Sequence, residues 1–138
     1  LMSLLLALPL LMGMGSLTGT TVYDKIPRPE KNFSALVLDQ VDVATECAEI
    51  SIEGKTFFDG KRGKGAYVVP FEQIDTVYFL KKNETLVARI MLWKGEDPLE
   101  LIVDGNRRLY GQTRWGTFQI GLGDLKSLKM TGSQGNAK

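Results

Sequence analysis

Apolar and polar positions alternate along most of the chain. Leu86, Ala88, Ile90 and Leu92 interleave with Val87, Arg89, Met91 and Trp93, and Leu36 to Val43 has a similar pattern. Tyr67, Val69 and Phe71 repeat at every second residue, as do Phe118, Ile120 and Leu122. A period of two places one set of side chains on one face of a half-buried strand. After each of these last two stretches the spacing lengthens to three, through Ile74 and Val77 or Leu125 and Leu128, which predicts one tight helical turn before another strand. Past the N-terminal segment, no stretch has a sustained helical period.

The pattern also repeats. Residues 50–79 align without a gap on residues 101–130. Gly54, Gly60 and Gly65 meet Gly105, Gly111 and Gly116, and apolar residues correspond at nearly every other position although few are identical. That is the mark of a duplicated packing unit. Each unit reads as a strand, an acidic-Gly pair that turns the chain, and a short strand (Thr56–Phe58 or Arg108–Tyr110). A second glycine turn, a third strand, a helical turn and a last strand follow. All six glycines are expected to be turn residues. Neither unit has enough apolar area to stand alone. The expected fold is therefore all-β, a sandwich or barrel built from two tandem, pseudo-repeated antiparallel meanders. It spans residues 35–130, with units of about 36–80 and 86–130 and a flexible tail at 131–138.

The first sixteen residues, LMSLLLALPLLMGMGS, break the pattern. Leu4 to Met14 is apolar almost throughout, and a helix of that length covers about 16 Å, half the hydrocarbon thickness of a bilayer. It fits the apolar core of an export signal followed by small residues, although no positive residue precedes it. A retained membrane anchor and a buried core helix stay open. The expected address is exported: periplasm, cell envelope or extracellular space. Residues 17–34 mix Thr, Gly, Pro and charge without a period and read as an extended lead-in, Ile26 and Arg28 each preceding a proline. Asn32-Phe33-Ser34 and Asn83-Glu84-Thr85 match glycosylation acceptors.

Composition removes several chemistries. The 138 residues carry a net charge of +1, which gives no global field for nucleic acid. There is no histidine, so the commonest general base and metal ligand is missing. Cys47 is the single cysteine, so no disulfide can form within the chain and no Cys–His pair exists. No cofactor and no metal site is expected. The run EGKTFFDGKRGKG (53–65) ends a phosphate-loop pattern at Gly54-Lys55-Thr56 but has Glu49 where the first glycine belongs. It reads as a turn.

Charge is placed unevenly. Five acids and no bases lie from Asp39 to Glu53; Lys55, Lys61, Arg62 and Lys64 then follow with one acid. Arg107, Arg108 and Arg114 come after Glu96, Asp97, Glu100 and Asp104 in the second copy. Equivalent basic turns of this kind are candidates for an anionic polymer or lipid headgroups. Tyr110 and Trp115, with Trp93, are candidates for stacking on sugar rings. The spacing from Leu101 to Leu125, L-x-V-D-G to L-x-x-L, resembles short β modules of exported bacterial proteins and carries no functional residue across.

Three functions are consistent with this reading. The preferred one is a non-enzymatic exported protein acting through its surface as an envelope component, assembly subunit or adaptor, with a protein partner or its own copies. The second is a binding module for an anionic or carbohydrate polymer, and the third a hydrolase of unknown type. Nucleic acid is not an expected partner, and a membrane is expected to be touched only through the N-terminal segment.

Overall fold

The computed structural model describes residues 26–95 and 97–133. The apolar run Leu4–Met14, the first part of the lead-in and the end of the tail lie outside them. The described chain is all-β: β1 (Phe33–Asp39), β2 (Ala44–Ile52), β3 (Phe57–Arg62), β4 (Gly65–Pro70), β5 (Ile74–Lys82), β6 (Thr85–Leu92), β7 (Leu99–Val103), β8 (Arg108–Thr113), β9 (Gly116–Gly121) and β10 (Leu125–Ser133). Single 3-10 turns at Phe71–Gln73 and Leu122–Asp124 precede β5 and β10. Here the period lengthens from two to three in the sequence.

The duplication holds in three dimensions. β3, β4, the first 3-10 turn and β5 recur 51 residues later as β8, β9, the second turn and β10, with the same lengths. Ile50, Ile52, Phe58, Phe71, Ile74, Val77 and Phe79 are buried, and so are Leu101, Val103, Leu109, Leu122, Leu125, Leu128 and Met130 at the matching positions. Backbone bonds repeat as well. The Phe71 N–H donates to the Thr56 carbonyl at 3.0 Å, and the Leu122 N–H donates to the Arg107 carbonyl at 2.9 Å.

All ten strands form one curled antiparallel sheet, ordered β4-β3-β7-β6-β5-β10-β1-β2-β8-β9. Exchanging each strand for its repeat partner and reading from the other end returns the same order, so a pseudo-twofold axis passes between β5 and β10. The repeats are interleaved. β3 pairs with β7 of the second copy (Lys61 opposite Ile102), and β8 pairs with β2 of the first (Ala48 opposite Gln112). Each hairpin completes the other repeat's half of the sheet.

This crossing corrects the reading of two glycines. Gly60 and Gly111 lie within β3 and β8 and not at turns. A Cβ on Gly60 would fall 2.7 Å from the Ile102 carbonyl oxygen and 2.9 Å from Leu101 Cβ; one on Gly111 would fall 3.0 Å from Cys47 Cβ. Glycine is needed there because the exchanged strand presses against the other repeat's backbone. Tyr67 and Phe118 stand opposite them across the ladder, the arrangement in which an aromatic residue compensates for a strand glycine.

The opening of the basic run is a tight turn. Ile52 and Lys55 exchange backbone bonds at 2.8 and 3.0 Å, while Glu53 and Gly54 take φ of 53° and 87°. Two consecutive positive φ values define the mirror-image turn favoured in hairpins. Its twin at Asp104–Arg107 differs: the Asp104 carboxylate accepts the Asn106 N–H at 2.9 Å, and Gly105 does not take positive φ.

The core runs along the inner face of the sheet. Phe33, Phe71, Phe58 and Phe79 form a chain of rings with centroids 5.5, 5.9 and 6.0 Å apart, and the Phe33–Phe71 pair is edge-to-face. Rings at such separations add about 0.5–1.5 kcal/mol per pair beyond area burial. Buried Ser51 is satisfied, its Oγ accepting the Gly54 N–H at 3.1 Å.

Candidate interaction surface

The basic residues fall in two kinds of place. Lys61, Arg62 and Lys64 lie at the tip of the β3–β4 hairpin, all exposed, around Gly63 with φ 64°. None of the three joins an ion pair among the described residues. At the equivalent tip of β8–β9, the Arg114 guanidinium stands 4.5 Å over the Trp115 ring, which is 76% exposed. Thr113 shapes this tip: its Oγ1 accepts the Trp115 N–H at 3.0 Å and donates to the Gly116 carbonyl at 2.9 Å. Gly65 and Gly116 open β4 and β9 immediately after the two tips, Gly116 with φ 128°.

Lys55, Arg107 and Arg108 lie instead on the links where the chain crosses between repeats. Lys55 places its ammonium 5.8 Å from the Phe57 ring. Arg107 pairs with Asp59, and the Arg108 N–H donates to Glu53 Oε2 at 2.8 Å. The Arg107 side chain is thus engaged in joining the repeats, whereas Arg108 contributes its backbone N–H and stays exposed. Tyr110 is half-buried in the middle of β8, opposite Ser51 and Gln119, and Trp93 is exposed just past β6.

The structure brings Lys61, Arg62 and Lys64 together, and Arg114 with Trp115. The two groups sit on the tips of different hairpins, β3–β4 and β8–β9, which are the two ends of the strand order.

Cys47 is buried at 4% exposure, and burial pushes its thiol up to about 11. A nucleophilic cysteine needs the opposite shift. Among the described residues, no three metal-binding side chains cluster and no helix is long and apolar enough to cross a membrane.

One surface escaped the sequence reading. β4 ends the sheet, so one side of its backbone has no strand partner among the described residues. Arg62 and Gly65 flank the two-residue turn and exchange hydrogen bonds, so the N–H and C=O groups of Gly65, Tyr67 and Val69 point to β3 and those of Ala66 and Val68 point outward. Pro70 falls in the outward set, where its missing N–H costs nothing. Val68 is 61% exposed and Tyr67 41%.

The outer face behind this edge is apolar apart from Lys61. Registers align Ala66, Lys61, Ile102, Val87 and Leu80 in one row across five strands; Ile102 is 52% exposed and Leu80 40%. The corresponding row at the other end begins Thr117, Gln112 and Ala48. The same backbone is therefore served by polar residues at β9 and apolar ones at β4. A signal for this was present: Ala66-Tyr67-Val68-Val69 is continuously apolar, whereas Thr117-Phe118-Gln119-Ile120 alternates.

Residues 29–133 match a family model described as "Uncharacterised protein", and the chain belongs to that family. No curated protein and no solved structure matches it.

Proposed function

We propose that this is a non-enzymatic interaction protein, exported and acting through its surface as an envelope component, assembly subunit or adaptor, and that the β4 end of the sheet is its contact surface. The observation that carries the reading is the difference between pseudo-symmetric ends. Folding is satisfied by Thr117 and Gln119 at the β9 edge, so Ala66 and Val68 at the β4 edge answer some other requirement. Exposed edges are a liability that proteins blunt with charge or coverage, and an apolar one is a place where another chain adds a strand. Export rests on the apolar run Leu4–Met14 alone.

The test is a photo-crosslinking side chain placed at residue 68 or at residue 119, in cells making the full chain. The reading requires a discrete protein adduct from position 68 and none from position 119. Equal labelling, or none, would remove it.

A second reading has its own observation: the exposed Trp115 ring with Arg114 across it, suited to a sugar ring or an anionic saccharide. It requires that Trp115→Ala abolish binding to an acidic polysaccharide while leaving the melting temperature unchanged.

A further inference from the structure

We infer that the partner at the β4 edge is a second copy of this chain, paired antiparallel along β4 across a twofold axis at Tyr67. The inference rests on the reading of β4 as the contact surface and adds the identity of the occupant.

Three observations point to a second copy. The first is self-complementarity. In an antiparallel pair centred on Tyr67, Ala66 of one copy faces Val68 of the other, and these are the residues whose N–H and C=O groups point outward. Both can then exchange full hydrogen-bonded pairs with their counterparts. A centre at Val68 would instead set Ala66 against Pro70, which has no N–H to give.

The second observation is side-chain matching. From Gly65 to Val69 the cross-strand pairs are Tyr67 with Tyr67 on one face and Ala66 with Val68 on the other, so no charged side chain is set against an apolar one within this stretch. Pairing β4 with β9 would place Val68 against Thr117 and Ala66 against Gln119.

The third is charge. Lys61, Arg62 and Lys64 crowd one end of the β3–β4 hairpin, while the other end of β4 leads into Glu72, which pairs with Lys31, and carries no excess positive charge. Antiparallel pairing sends the two cationic tips to opposite ends of the interface. Each then lies beside the partner's Pro70–Glu72 segment. A parallel pair would stack the tips on each other, and like charges in register destabilise. An isologous contact of this kind closes at two copies, because each β4 edge is used once and β9 is left free.

Sedimentation velocity on the full chain across a wide range of concentration tests this. A monomer–dimer equilibrium is expected. Val68→Lys adds charge at the edge without altering the backbone, and Ala66→Pro deletes an outward N–H that no other strand uses. Each should move the midpoint toward monomer by about tenfold or more. Gln119→Lys, the pseudo-symmetric control, should leave it in place, and melting of all three, measured at a concentration where the wild type is monomeric, should be unchanged. Three results overturn the inference. One is a wild type that is monomeric throughout. Another is association weakened equally by Val68→Lys and Gln119→Lys, the signature of open β4–β9 polymers. The last is association indifferent to both. A monomeric wild type that still crosslinks to a different protein at residue 68 removes the second copy and keeps the contact surface; no adduct at 68 removes both.

Discussion

Gly60 lies so close to Ile102 that any Cβ at position 60 would fall 2.7 Å from the Ile102 carbonyl oxygen. The contact joins the first repeat's hairpin to the second repeat's strand, so it reports on interleaving itself.

Gly60→Ala should cost about 1–3 kcal/mol, because the obstructing atoms belong to backbone and to a buried Cβ. Gly111→Ala should cost less, since its nearest neighbours begin at 3.0 Å. Gly65→Ala meets nothing closer than 3.7 Å and has no positive φ, so it should change little. Urea unfolding of the three variants checks the order. Equal costs at 60 and 65 would mean that the close approach is not what Gly60 serves.

Phe71 and Leu122 occupy equivalent positions, both buried. Phe71→Leu borrows the twin's residue and should cost under about 1.5 kcal/mol. Phe71→Ala opens a cavity among Phe33, Phe58 and the strands and should cost about 3–5 kcal/mol. Thermal and denaturant unfolding give both values.

Cys47 makes a prediction about pH. Burial raises the folded thiol to about 11 from its ordinary value of 9.0. The unfolded chain therefore releases this proton first as pH rises, and the stability is full below about 9 and falls between the two values. Compared with Cys47→Ala, the wild type should lose roughly 2–3 kcal/mol across that window. Below pH 8 a thiol reagent should react only through the opened chain, and therefore far more slowly than with the unfolded protein.

The class of fold was legible because strand alternation and a gapless 51-residue offset are both properties of local sequence. The pairing of β3 with β7 was not. Phe58 and Val69 must be buried whichever strand they meet, and two similar repeats offer them two similar sites, so periodicity cannot distinguish one's own repeat from the other. Gly60 and Gly111 were read as turns for the same reason: a glycine announces an unusual backbone requirement, and only the crossing shows that the requirement is proximity. Among the candidate site residues, the tip positions Lys61, Arg62, Lys64, Arg114 and Trp115 were legible as exposed because they flank turn glycines. Arg107 was not, since its partner Asp59 reaches it only through the exchange. The β4 edge was written in the contrast between Ala66-Tyr67-Val68-Val69 and its alternating twin.

Interleaving is tested most directly by cutting the chain at the exposed Asn83–Glu84 turn between β5 and β6 and producing the fragments 1–83 and 84–138 separately. Mixed in equal amounts, they should form a one-to-one complex with the circular dichroism and melting profile of the intact chain, and neither should fold as a monomer, since each would lack the strand on which its hairpin docks. If fragment 1–83 alone were a stable monomer with β2 paired to β3, the two repeats would be independent units and the exchange would not be what holds the protein together.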